Sequence, residues 1–338
     1  VTWLPPERAD TDAAGSAGSS FGGLVTTVDG NVFVAWAERR DGTGREEHLH
    51  GNVYTAGVGF AGADVRIDSD GDTAGAAVLR EPAVASDGAA GVYVAFSARG
   101  DGHEHDVWVA RSADGGYSFE PAVRVSTTPA GERVQFAPHL AATADGDVYL
   151  VYFSDDPVSG ERQLRFNRSS DFGATWQPAD EVLDSVTHRV GTFLDSFDFP
   201  NVQLRAVGGG LAYVAWSDNA TVYLARSEDS GATFTIEDVD QDTRGYNRYP
   251  ALCAQGDQVV LAIMSPDLAF VDFSVWGTVS ADRGATWTTL QQLRGESTPE
   301  RAIFPIVSCD GSGGAVAIWK DTTLFSLTVL LNGIPLIL

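Results

Sequence analysis

The sequence predicts an all-β chain, a six-bladed β-propeller of four-stranded blades whose ring is closed by the N-terminal strand. Three observations predict it. One eight-residue phrase recurs at a nearly fixed period, six apolar runs share one spacing, and the two ends of the chain read as parts of one unit. The phrase is S-x-D-x-G-x-[T/S]-[W/F], beginning at Ser112, Ser169, Ser227 and Ser280, with starts 57, 58 and 53 residues apart. A period near 50 residues marks stacked supersecondary units, each unable to bury its faces alone.

The phrase has the chemistry of a hairpin turn. Ser and Asp side chains bond nearby backbone amides and end a ladder. Glycine takes a positive φ at no steric cost, and the closing aromatic buries a large ring as the next strand begins. The turn residues are Ser112, Asp114 and Gly116; Ser169, Asp171, Gly173 and Trp176; Ser227, Asp229 and Gly231; and Ser280, Asp282, Gly284 and Trp287. Each turn is expected between the third and fourth strands of its unit, as a staple of the fold.

The other strands follow in order. First strands are expected after Pro82, Pro138, Pro200, Pro250 and Pro305. Second strands are the runs 32–36, 92–96, 148–152, 212–216, 259–263 and 315–319, rich in Val, Tyr, Phe and Trp. The units span approximately 19–68, 80–126, 135–183, 198–239, 248–293 and 303–338 plus 1–10, within one domain, 1–338. The first unit carries only a shortened turn, Gly57-Val58-Gly59-Phe60, and the last ends at the hairpin dipeptide Asn332-Gly333. Val1-Thr2-Trp3-Leu4-Pro5-Pro6 is similar to Ala174-Thr175-Trp176-Gln177-Pro178-Ala179, so the N-terminus is expected to supply the last unit's outer strand. The apolar tail 334–338 either adds to that unit or marks an assembly contact with a neighbouring subunit.

A formal net charge of −24 and a pI near 4.4 argue against nucleic acid and anionic membranes as partners. Lys320 is the sole lysine, a pattern that a GC-rich genome or adaptation to salt would produce. No run of 18 apolar residues indicates a membrane span. The chain begins abruptly in what reads as a strand, which points to a processed, secreted or cell-surface protein. Cys253 and Cys309 fall in first strands of neighbouring units, where a disulfide and two buried thiols fit equally.

The recurring phrase is the Asp box, and nearly the whole chain resembles the sialidase-type β-propeller superfamily, also known by its BNR repeats. The resemblance implies a ligand face formed by the hairpins between strands two and three and the connections between units, with the boxes on the opposite face. In the second unit Arg80-Glu81-Pro82-Ala83-Val84 looks like the family's R-I-P-A-L start, which implies that Arg80 grips a carboxylate. Asp101 is the nearest match to the family's acid/base. The match then departs. Gln203, in Pro200-Asn201-Val202-Gln203-Leu204, stands where the family has the glutamate that activates a tyrosine, and an amide is no general base. Of the later arginines only Arg165 has comparable spacing. Arg248 and Arg301 would have to substitute, with Tyr246 or Tyr249 as nucleophile.

Other clusters point to metals or sugars. His48 and His50, with His103 and His105, form two His-x-His pairs in neighbouring hairpins, suited to a transition metal. Asp68, Asp70 and Asp72 alternate around Gly71, suited to calcium. Arg99, Arg244, Tyr246, Arg248, Tyr249 and Arg301 supply aromatic and guanidinium groups to the expected ligand face, fit for a glycan or a protein. The expected function is a non-catalytic recognition or assembly module. The rivals are a glycoside hydrolase, a diverged exo-sialidase or one using two of Asp101, Glu104, Asp195 and Asp198, and a structural subunit of an extracellular assembly.

Overall fold

The computed structural model describes residues 7–11, 18–27, 30–39, 48–68, 82–98, 105–129, 134–156, 162–184, 202–218, 221–239, 247–266, 273–293, 302–310, 313–321, 325–331 and 334–337. They form two compact units, Val1–Ser185 and Val186–Leu338.

The first unit holds three antiparallel sheets. Sheet one contains β1 (Gly18–Thr26), β2 (Val32–Arg39), β3 (His48–Thr55) and the short β4 (Gly59–Phe60) and β5 (Val65–Arg66), both paired with β3. Sheet two is β6 (Ala83–Ser86), β7 (Val92–Ala98), β8 (Asp106–Ser112) and β9 (Val123–Arg124). Sheet three is β10 (Val134–Ala142), β11 (Val148–Asp155), β12 (Arg162–Ser169) and β13 (Glu181–Val182). The second unit holds sheet four, β14 (Val202–Val207), β15 (Leu211–Asp218), β16 (Thr221–Ser227) and β17 (Thr235–Asp238). Sheet five follows as β18 (Arg248–Gln255), β19 (Gln258–Pro266), β20 (Phe273–Ser280) and β21 (Gln291–Gln292), and sheet six as β22 (Ala302–Cys309), β23 (Ala315–Asp321), β24 (Phe325–Leu331) and β25 (Ile334–Ile337).

Successive sheets within a unit pack face to face, which explains why the second strands are apolar on both faces. Val92, Val94 and Phe96 of β7 pack toward Phe33, Ala35 and Leu49 of sheet one, whereas Ala95 packs with Leu150 and Tyr152 of sheet three. In the second unit Tyr213 and Ala215 meet Leu252, Leu261 and Ile263 in the same manner.

The four turns form one repeated network. Each Ser Oγ donates to the Asp Oδ1, at 2.7 to 2.8 Å, and accepts from the glycine amide. Each Thr or Ser hydroxyl closes the turn by donating to the Asp Oδ2 at 2.6 Å. Two successive residues take positive φ, so Phe172 (58°), Ser230 (57°) and Arg283 (61°) bear strain that Gly115 avoids in the second sheet's turn. Hydrogen bonds from Thr175, Thr233 and Thr286 hold Asp171, Asp229 and Asp282 down to about 2, against 3.8 ordinarily. A depressed carboxyl contributes stability that is complete above its unfolded value and is lost as pH falls through the folded one. The melting temperature is therefore expected to drop between about pH 4 and pH 2. A Thr175→Val, Thr233→Val, Thr286→Val protein should show a shallower drop, and an unchanged profile would remove the boxes from the acid response.

The aromatics that close three of the turns pack on the preceding sheet. The Phe119 ring lies 5.4 Å from Phe33, Trp176 joins the core of sheet two, and Trp287 that of sheet four. Among the described residues, sheet six sends out no such aromatic. Between sheets five and six lies a cavity of about 320 Å3 lined by Val260, Gly277 and Val279. By register these correspond to Tyr213, Leu224 and Arg226 of sheet four, where Gly284 and Trp287 pack.

Four points refine these expectations. The strand beside β24 is β25, from the C-terminal tail, one of the two places expected for that tail; residues 1–6, expected as an outer strand of the same unit, lie outside the described ones. Pro138, Pro250 and Pro305 sit inside first strands at bulges rather than before them, because proline has no amide to give a ladder. Cys253 and Cys309 form a disulfide between β18 and β22, with Cα atoms 5.8 Å apart. Residues 9–11, finally, lie against sheet one. Asn52 Nδ2 donates to Ala9 O and Ala61 O, and the Thr11 amide and hydroxyl donate to Asp64. In sheet three Asn167 Nδ2 donates likewise to Val125 O and Gln177 O, while the Thr127 amide and hydroxyl donate to Asp180. Residues 9–11 thus stand to sheet one as 125–127 stand to sheet three.

Candidate functional site

In the second unit, two first strands begin with an aromatic residue in an unusual conformation. Tyr249 and Phe304 have φ of 50° and 56°, each directly before a proline and each at a register break in its strand. A bulky residue rarely adopts a positive φ, and such strain persists only where surrounding structure enforces it. The bulge re-aims both side chains. Their rings meet edge to face with centroids 4.9 Å apart, and Phe304 remains 41% exposed. Exposed Ile306 extends the apolar surface, and Arg248 precedes Tyr249 as a largely buried residue. In sheet four, Gln203 Oε1 accepts from Arg205 Nη2 at 3.3 Å, so the place of the expected general base is an amide tied to a guanidinium. Burial pushes the pKa of Arg205 below its usual value.

The first unit has a related feature at Ala137, φ 50°, also before a proline. Phe136 stacks on Phe153 at 5.7 Å, and the Arg162 guanidinium lies 4.9 Å from the Phe136 centroid. Asp155 fixes Arg162 through two bonds of 2.7 and 2.8 Å.

Sheet one gathers the polar groups. Asp68 is fully buried; Arg66 Nε donates to its Oδ1 at 3.0 Å, and His48 Nδ1 lies 3.0 Å from its Oδ2. Asp68 is thus an ion-pair anchor within sheet one. Asp70 and Asp72 lie outside the described residues. His48 is committed to Arg66 and Asp68, while His50 turns to Glu38 and Asp64; the donor atoms of these last three residues lie within 4.8 Å of one another. His105 sits at the edge of β8 in a bridge with Val134 and joins no metal-type cluster among the described residues. Arg165 packs beside Asp180 and Gln163, with its side chain 15% exposed, and serves the sheet rather than an open carboxylate site. Arg80, Arg99, Asp101, His103, Arg244, Tyr246 and Arg301 lie outside the described residues, as do Glu104, Asp195 and Asp198.

Phe304, Glu38 and Asp64 escaped the sequence reading. The signal for Phe304 was present in the repeated aromatic-proline pair at Tyr249-Pro250 and Phe304-Pro305.

Structural comparison now bears on the fold. A sialidase of Trypanosoma rangeli aligns with 94% of this chain and 54% of its own, at a TM-score of 0.51 and 10% identity. An α-L-arabinanase of Penicillium chrysogenum, solved with arabinobiose, aligns with 89% of this chain and 88% of its own, at 0.53 and 13%. A protein of unknown function from Dyadobacter fermentans aligns over 95% and 93%, at 0.51 and 15%. The fold is a sialidase-like β-propeller. At these identities the likeness extends to the fold alone, and the chain spans about half the length of the sialidases it matches. No family model and no curated protein matches the sequence. Among the described residues, no helix of this propeller is long and apolar enough to cross a membrane.

Proposed function

We propose that this propeller is an exported recognition module that binds a glycan without hydrolysing it, through the surface built on Tyr249 and Phe304. The observation that carries the reading is the paired strain: two bulges spend backbone stability to present adjoining aromatic rings, one of them open to solvent. Aromatic faces stack on the C–H faces of sugars, and a neighbouring arginine suits hydroxyl or carboxylate groups. Gln203 supports the absence of hydrolysis, and the disulfide supports an oxidising compartment. The hydrolase reading keeps support from the likeness of this fold to those of a sialidase and an arabinanase.

The six sheets are then six blades of one ring, and residues 1–11 complete the last blade. Two observations support this closure. Residues 9–11 repeat the role of 125–127, and among the described residues β25 pairs with Thr328, Val329, Leu330 and Leu331 of β24, which leaves residues 325–327 of that edge for another strand. Trp3 precedes Ala9 by the six positions that separate Phe119 from Val125.

The test is a glycan panel that includes sialosides and arabino-oligosaccharides, probed with wild-type and Phe304→Ala protein. Loss of one aromatic stack is expected to weaken binding at least tenfold, about 1.4 kcal/mol. Equal binding by both proteins, or none by either, would sink the aromatic site.

A further inference from the structure

The outer halves of sheets one and three are built to one pattern, and they differ at two positions that set the charge. In sheet three, Tyr152 pairs across the strands with Arg165, and Asp180 accepts 2.6 Å bonds from the Tyr152 and Thr127 hydroxyls. The Arg165 guanidinium approaches Asp180 at 4.0 Å and supplies the positive charge. In sheet one, Trp36 occupies the place of Tyr152, His50 that of Arg165, and Asp64 that of Asp180. An imidazole replaces the guanidinium, and Glu38 brings a second carboxylate that is 1% exposed. A guanidinium is charged at every physiological pH, whereas an imidazole is not, so the exchange removes a permanent cation while adding an anion.

We propose that Glu38, His50 and Asp64 bind a divalent first-row transition ion in place of that guanidinium, with zinc as the ion their chemistry fits best. Imidazole nitrogen and carboxylate oxygen are both zinc ligands, and buried carboxylates are stable when they coordinate a metal. Zinc bonds of about 2.0 to 2.2 Å put two ligand atoms roughly 3.5 Å apart. Glu38 Oε1 and His50 Nε2 are separated by 3.7 Å. The carboxylates are also held from behind. Trp36 Nε1 donates to Glu38 Oε2 at 2.8 Å, leaving Oε1 on the His50 side, and Thr11 donates to both oxygens of Asp64. Such outer bonds orient metal ligands. Through Thr11, the ion would tie residues 9–11 to sheet one.

The test uses the full chain stripped with EDTA and titrated with zinc chloride, read by calorimetry and by melting. One zinc per chain and a raised melting temperature are expected, with Glu38→Gln weakening binding at least tenfold. His50→Arg restores the residue of sheet three, so it should remain folded, bind no zinc and melt at one temperature with or without EDTA. His48→Gln should bind as wild type does. A stripped protein that takes up no zinc would overturn the proposal and leave His50 as an imidazolium paired with the two carboxylates. Stoichiometric binding retained by both Glu38→Gln and His50→Arg would overturn it equally, by placing the ion elsewhere.

Discussion

Reducing the Cys253–Cys309 disulfide is expected to cost the fold about 4 kcal/mol, the chain entropy of freeing a loop closed across 56 residues. The bridge joins β18 to β22, the first strands of consecutive sheets, and Cys253 lies in the core cluster with Val260, Val307 and Ala317. Reduction leaves that packing in place, so the loss should appear in the unfolding equilibrium rather than in the ligand surface. Urea unfolding followed by tryptophan fluorescence, with and without reductant, measures it. A Cys253→Ser, Cys309→Ser protein should match the reduced wild type. Coincident midpoints for oxidised and reduced protein would show that the bridge adds nothing to the interlocked first strands.

Replacing Trp3 by Ala is expected to destabilise the protein by about 3 to 5 kcal/mol, the usual cost of removing a large aromatic from a core. The expectation follows from the closure proposed for the ring. Sheets two, three and five each send a turn aromatic onto the sheet before, and the cavity of about 320 Å3 lies where sheet six would send its own. Trp3 has the sequence spacing from Ala9 that Phe119 has from Val125, and is the residue proposed for that place. Trp3→Phe should recover much of the loss, as Phe119 performs the same role in sheet two. A melting curve for Trp3→Ala that overlays the wild type would mean a solvent-exposed Trp3, and the N-terminal closure would fall with it.

The scaffold was legible because its determinants are local. Ser, Asp and Gly within eight residues define a turn wherever they occur, and the second strands declare themselves through continuous apolar runs forced by sheets on both sides. The candidate surfaces were less legible because they depend on register. Tyr249 was noticed for its residue type, but its pairing with Phe304 arises from equivalent bulges 55 residues apart, which no spacing rule announces. Glu38, His50 and Asp64 come together only because β2 pairs with β3 and because β5 rejoins β3 beyond the short turn. The His-x-His pattern correctly places both rings on one side of β3 but does not separate their partners: Arg66 and Asp68 for one, Glu38 and Asp64 for the other. The N-terminal segment was read from its likeness to a turn sequence, whereas the competing tail strand β25 follows from the simpler hairpin at Asn332-Gly333.

The central claim, recognition without hydrolysis, is tested most directly by recovering a bound glycan. The tightest ligand from the panel would be incubated with stoichiometric protein for a day, and its mass and anomeric signals then recorded. The account predicts intact glycan, with binding that Phe304→Ala weakens at least tenfold. Cleavage that scales with protein and survives Gln203→Ala would contradict it, and would place a catalytic pair among the carboxylates of a working hydrolase.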